Sequence, residues 1–186
     1  MVMCRALMLG LFAVAGAATP AARAETPADR AVRVSFRVDS DGRDNPITNE
    51  LAYPELHVGY ARRFGPALWW QVGAGLGAVV GAETSGSTAQ LGAGGAARTA
   101  GAVFVGAQLE VAWSSSRYDF DDSRCTTHGV LGRATVELGR RVGARGAVVV
   151  SGGLRARKIA AHDCDDGGPR DVNLGPAIGI SYEWRR

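Results

Sequence analysis

The chain has 186 residues, a formal charge of +3, 21% charged and 46% hydrophobic residues. That balance suits one folded domain with a targeting segment and excludes a disordered chain or a helical membrane protein. The 26 glycines follow no Gly-X-Y period, which excludes collagen, and beyond the N-terminus there is no run of about 20 apolar residues, so any bilayer crossing there must use strands in a closed barrel.

Residues 1–24 read as a secretory signal. Arg5 gives a positive start, Ala6 to Ala18 is apolar, and Ala22-Arg23-Ala24 is an A-x-A cleavage site. Residues 25–186 are then the mature domain. Loss of Arg5 and Arg23 takes the formal charge from +3 to +1, and no basic run with interleaved aromatics appears, so no nucleic-acid partner is expected. Cys4 departs with the signal, which leaves Cys125 and Cys164 as a pair for a disulfide in an oxidising envelope compartment. His128 and His162 lie near them and leave a zinc cluster as the alternative, although structural zinc cysteines usually come in closely spaced pairs.

The mature chain reads as eight strands, each with alternating faces. Ala31 to Asp39 places Val32, Val34, Phe36 and Val38 opposite Arg33, Ser35 and Arg37. Asp39 to Asn49 is dense in turn formers and predicts a loop. Leu51 to Arg63 sets Leu56, Val58 and Tyr60 against Glu55, His57 and Gly59; Phe64 to Ala67 turns; Trp70 to Val80 follows with Gln71, Gly73, Gly75 and Gly77 on its other face. A fourth strand over Ser87 to Ala96, with Ala89, Leu91 and Ala93 on the apolar side, is poor in side chains but makes the strand number even. Val103 to Trp113 sets Gly106, Gln108 and Glu110 against its aliphatics, and a long polar loop is expected over Ser114 to Thr127. His128 to Arg140 carries Arg133, Thr135 and Glu137 opposite Val130, Ala134, Val136 and Leu138. After a turn at Arg141 to Ala144, Arg145 to Lys158 carries Ser151, Arg155 and Arg157 opposite Val148, Val150, Leu154 and Ala156. A loop is expected over Ile159 to Asp171, and Val172 to Trp184 closes the chain with Val172, Leu174, Pro176, Ile178, Ile180, Tyr182 and Trp184 on one face.

Long connections alternate with short ones, and the strands have the ~9–11 residues that cross hydrocarbon at a tilt. The charges Arg33, Arg37, Glu55, Glu110, Arg133, Glu137, Arg155, Arg157 and Glu183 fall opposite the aliphatic face. Tyr60, Trp70, Tyr182 and Trp184 map to one end of their strands and Trp113 to the other, as two interfacial girdles would. The expected fold is all-β, an eight-stranded antiparallel up-and-down transmembrane β-barrel, with a soluble periplasmic ligand-binding barrel as the alternative.

The chain resembles the small eight-stranded outer-membrane barrels of the OmpA/OmpX kind over its mature length. The most specific match is the C-terminal Gly-x-x-aromatic-x-aromatic pattern, here Gly179, Tyr182 and Trp184. The chain departs from that pattern at Ala177 and in running on through Arg185 and Arg186. The resemblance implies the bacterial outer membrane, a monomer, recognition of the last strand by the barrel-assembly machinery, and outer-membrane lipid and lipopolysaccharide as surroundings.

A barrel this narrow is filled by its side chains, so no wide pore is expected. The set Arg33, Arg37, Glu55, His57, Glu110, Arg133, Glu137, Arg155, Arg157 and Glu183 reads as a lumen polar network, because buried charges need partners; a narrow ion path is its functional alternative. Glu55 and His57 share a face two residues apart and could form an acid–base pair, which keeps a lipid-modifying enzyme open. No nucleophile motif is present, and the acid-rich Asp39 to Asp44 and Asp163 to Asp166 do not fit an EF-hand loop. The expected role is structural or surface-interacting, without catalytic residues, metal or cofactor.

Overall fold

The computed structural model describes residues 29–40, 51–81, 84–119, 124–163 and 172–186. The signal segment and Cys164 lie outside them, as do residues 41–49 of the first predicted loop and residues 164–166 of the second acid-rich run.

Eight strands follow in chain order: β1 Arg30–Ser40, β2 Ala52–Arg63, β3 Leu68–Val80, β4 Ser85–Arg98, β5 Val103–Asp119, β6 Arg124–Val142, β7 Gly146–His162 and β8 Val172–Arg185. Each pairs antiparallel with the next, and β8 returns to β1 to close the barrel. Closure satisfies every strand edge along the paired segments, the condition for a sheet in hydrocarbon. At the seam Val32 lies opposite Trp184 and Val38 opposite Ile178. The side-chain-poor β4 is a full strand of 14 residues, paired along its length to β5, with Ala89, Leu91 and Ala93 outward.

The two predicted loops at 114–127 and 159–171 are corrected. The strands run on: β5 to Asp119, β6 from Arg124 and β7 to His162. Ser114, Ser116 and Tyr118 continue the inward face, and Ser115, Arg117 and Asp119 the outward one, so the two-residue period persists after the apolar residues stop. Only residues 120–123 link β5 to β6. The asymmetry between the two ends of the barrel therefore lies in strand length: β5, β6 and β7 have 17, 19 and 17 residues against 11 in β1. A bulge leaves Ala160 unopposed between the pairs Gly129–Ile159 and His128–Ala161. At the other end the connections are tight turns; Gly143 has φ +65°, a left-handed conformation that suits glycine.

Burial is inverted relative to a soluble barrel. Leu56, Val72, Leu76, Leu91, Leu109, Val136, Leu154 and Ile180 are all exposed on the outside, while Arg155 and Glu137 are 1% and 0% exposed inside. An exposed aliphatic surface of this extent needs an apolar surrounding. Tyr60, Trp70, Tyr182 and Trp184 stand outward near the turn end, with the Tyr60 and Trp70 rings edge to face at 5.8 Å. Trp113 stands outward opposite Leu91 and Val130, six residues short of the loop end of β5.

Candidate functional site

All ten residues of the predicted lumen network lie inside the barrel and are buried. They form two layers, with Arg155 and Arg157 beyond them toward the loop end. Nearer the turn end, Glu137 accepts from Arg33 Nη1 at 2.7 Å and from Arg98 Nε at 2.8 Å. Glu183 lies 2.8 Å from Arg98 Nη1, accepts from Arg185 Nη2 at 3.1 Å and is 3.7 Å from Arg33 Nε. Arg33 also donates to Ser181 across the β1–β8 seam at 2.8 Å. Trp69 and Phe104 floor this layer, with the Arg98 and Arg185 guanidinium groups 5.0–5.9 Å from their rings.

Further in, Arg133 donates to Asp39 at 2.6 and 3.0 Å and to Glu110 at 3.0 Å, and reaches Glu55 only at 3.5 Å. Arg37 donates to Glu110 at 3.1 Å. Gln108 links the layers: it accepts from Arg33 at 2.9 Å and donates to Glu110 at 3.1 Å. Toward the loop end, Arg155 lies 4.3 Å from the Tyr53 ring centroid, and Arg157 donates to Tyr118 at 2.7 Å and Thr127 at 2.8 Å. Leu51, Tyr53, Val79 and Tyr118 pack together above them.

The predicted Glu55–His57 pair is not joined by a hydrogen bond. Glu55 Oε1 and His57 Nδ1 both lack a partner, as do Ser35 Oγ and Asp39 Oδ1. The His57 ring lies over Gly73, where a Cβ would overlap it and come within 2.8 Å of the Val58 carbonyl. A small polar cavity lined by Ser35, Arg37, Asp39 and Arg133 adjoins this group, with room for a water or two.

Sequence reasoning missed Asp39, Arg98, Arg185, Tyr53 and Tyr118 as interior groups, and it placed Gln108 inward without joining it to the charged network. Asp39 and Tyr118 fall in predicted loops and Arg98 beyond the predicted end of the fourth strand; the two-residue period places all three inward when it is extended by up to two residues for Asp39 and Arg98 and by five, from Trp113, for Tyr118. Arg185, past the aromatic pattern, turns into the lumen. Gly179 of that pattern lies opposite both Arg37 and Ser151, while Tyr182 and Trp184 point outward.

Cys125 faces inward against the Leu51 cluster, whereas His128 lies on the outward face of the same strand, so the two do not converge on one zinc ion. Among the described residues no group of three or more His, Cys, Asp or Glu forms a metal site.

No family model and no curated protein matches the sequence. Solved structures do match. Surface protein A of Neisseria (NspA) superposes with a TM-score of 0.65 at 10% identity over 87% of this chain and 100% of that one. The attachment invasion locus protein Ail of Yersinia pestis gives 0.52 at 9% identity, over 84% and 99%. OprG of Pseudomonas aeruginosa gives 0.53 at 10% identity, over 86% and 97%. The closed eight-strand order, the inverted burial and these likenesses agree: the chain has the fold of the small eight-stranded outer-membrane β-barrels, the OmpA/OmpX kind that its sequence resembles.

Proposed function

We propose that this protein is an integral barrel of the bacterial outer membrane with a structural or surface-interaction role and no wide pore. The observation that carries it is the inverted burial: an apolar outer belt around an interior of interlocked arginines and carboxylates. The belt needs lipid, and the filled lumen leaves no path for a solute larger than water. In this orientation the tight turns and residues 30 and 186 face the periplasm, and the extended ends of β5–β7 face outward, among lipopolysaccharide. The chain acts as a monomer, since closure leaves its sheet no edge for a second copy. Gly179, Tyr182 and Trp184 serve the barrel-assembly machinery on the way in, after removal of residues 1–24. Retention in membranes after a carbonate wash, with a band that migrates faster before boiling than after, is the expected result; release by carbonate sinks the reading.

A disulfide between Cys125 and Cys164 fits this topology. Asp163 donates its N–H to the Thr126 carbonyl at 3.1 Å and its carboxylate accepts the Thr126 N–H. The residue before Cys164 is thus paired with the residue after Cys125, which is the neighbourhood in which such a bridge would form. Recovery of two free thiols from the oxidised protein would rule it out. An enzymatic role has weaker support: His57 is sealed in the wall beneath Glu55, away from the lipid face, so His57→Ala is expected to leave any deacylation or acyl-transfer signal at background.

A further inference from the structure

The charge left over by the lumen sits on the turn-end rim. Arg30 lies directly opposite Arg62, and Arg62 opposite Trp70. On its other side Arg30 exchanges backbone hydrogen bonds with Arg186 at 3.2 and 2.9 Å. Three exposed arginines therefore stand side by side across β8, β1 and β2. The next outward row toward the membrane centre is Trp184, Val32, Tyr60 and Val72. Around the rim, Arg140, Arg141 and Arg145 are exposed at the β6–β7 turn, with Arg140 outward between Val103 and Val148. Among the described residues at this end the one exposed carboxylate side chain is Asp29, 3.8 Å from Arg30; the chain's terminal carboxylate lies beside it on Arg186. The segments between strands at the opposite end (41–51, 81–84, 120–123 and 163–171) hold ten acids and two arginines by sequence.

Like charges directly opposite on neighbouring strands repel. The arrangement is stable where an anion lies between them, and its height selects the anion. Arg30, Arg62 and Arg140 project from outward positions immediately below the aromatic girdle, where lipid headgroups lie, and not toward the open periplasm. We propose that this collar binds the phosphodiester headgroups of anionic phospholipids in the periplasmic leaflet. Guanidinium groups suit this target, since each offers paired N–H donors to phosphate oxygens. The inference rests on the outer-membrane reading above and names a partner for one rim of that barrel.

The test uses the full chain refolded into phosphatidylcholine vesicles, with tryptophan fluorescence quenched by brominated phosphatidylglycerol or by brominated phosphatidylcholine. Wild type should prefer the anionic lipid by roughly fivefold or more. The combined variant Arg30→Gln, Arg62→Gln, Arg140→Gln, Arg145→Gln should show equal quenching by both lipids. Arg117→Gln with Lys158→Gln, at the other end of the wall, should keep the preference. Gel migration before boiling checks that each variant is folded, and Arg62→Gln alone gives a smaller loss if the combined variant does not fold. Arg62→Gln should also raise the melting temperature in a neutral detergent and lower it relative to wild type once phosphatidylglycerol is added. No preference in wild type, a preference indifferent to the four substitutions, or one lost with Arg117 and Lys158 overturns the proposal. So does binding of soluble polyglutamate without any lipid preference, which would make the collar a dock for an acidic macromolecule. A chain that enters no vesicle fails the membrane reading as well; one that inserts without preference fails the collar alone.

Discussion

The two layers of the lumen use the same residue types to different degrees of completion. In the turn-end layer both oxygens of Glu137 and both of Glu183 face an arginine, and Glu137 is fully buried. In the inner layer Glu55 meets Arg133 at 3.5 Å with one oxygen and nothing with the other, His57 keeps an unpartnered nitrogen, and Asp39 and Ser35 each keep an unpartnered atom beside a small cavity. A buried carboxylate held by two guanidinium groups from different strands fixes those strands to each other. One held at arm's length leaves room for water and for rearrangement. The difference shows that burial and charge alone do not make a structural lock; the number of strands that meet at one carboxylate does.

The largest expected effect follows from the tight layer. Glu137→Gln leaves Arg33 and Arg98 buried without their shared anion, and should cost about 3–5 kcal/mol in urea unfolding from vesicles. Gly139→Ala tests packing in the same layer, since a Cβ there overlaps the Phe104 ring that floors it; overpacking of about 1–3 kcal/mol is expected. A double-mutant cycle on Arg98 and Glu137 should give coupling of about 1–3 kcal/mol, and the same cycle on Arg133 and Glu55 less than about 0.5 kcal/mol. The smallest effect belongs to Glu55→Gln, expected to change stability by less than about 1 kcal/mol because it removes a charge with one distant partner. If Glu55→Gln cost as much as Glu137→Gln, the distinction between the layers would collapse.

The faces of the strands were legible because a two-residue period survives in any strand whose sides meet different surroundings. Val32 to Val38 and Val103 to Trp113 show this directly, and even the Gly- and Ala-rich β4 kept it through Ala89, Leu91 and Ala93. The ends of β5, β6 and β7 were not legible. Above the apolar belt both faces are polar, so Ser114 to Asp119 reads like a loop although it pairs residue by residue with Ser85 to Gln90. The layering of the lumen was equally hidden. Alternation shows that Arg133 and Glu137 point inward, but which carboxylate each arginine reaches depends on strand stagger, which no single strand records. Arg185 continues the inward face two residues after Glu183, but it lies past the aromatic pattern where the strand was expected to end.

The seam between β1 and β8 differs from the other seven ladders in one respect. Each of those joins neighbours along the chain and is held by a hairpin, whereas this one joins the two ends of the described chain, with Ala31 opposite Arg185. It is therefore the last ladder that can form as the chain winds up and the first that can unzip without straining a turn. A slip of two residues there would keep every side chain on its proper face, so the apolar belt alone does not forbid it. Arg33 does: from β1 it bonds Ser181 at 2.8 Å and lies 3.7 Å from Glu183, both on β8, while its other arm is tied to Glu137 on β6. One side chain thus acts as the key that admits a single alignment of the closing strand.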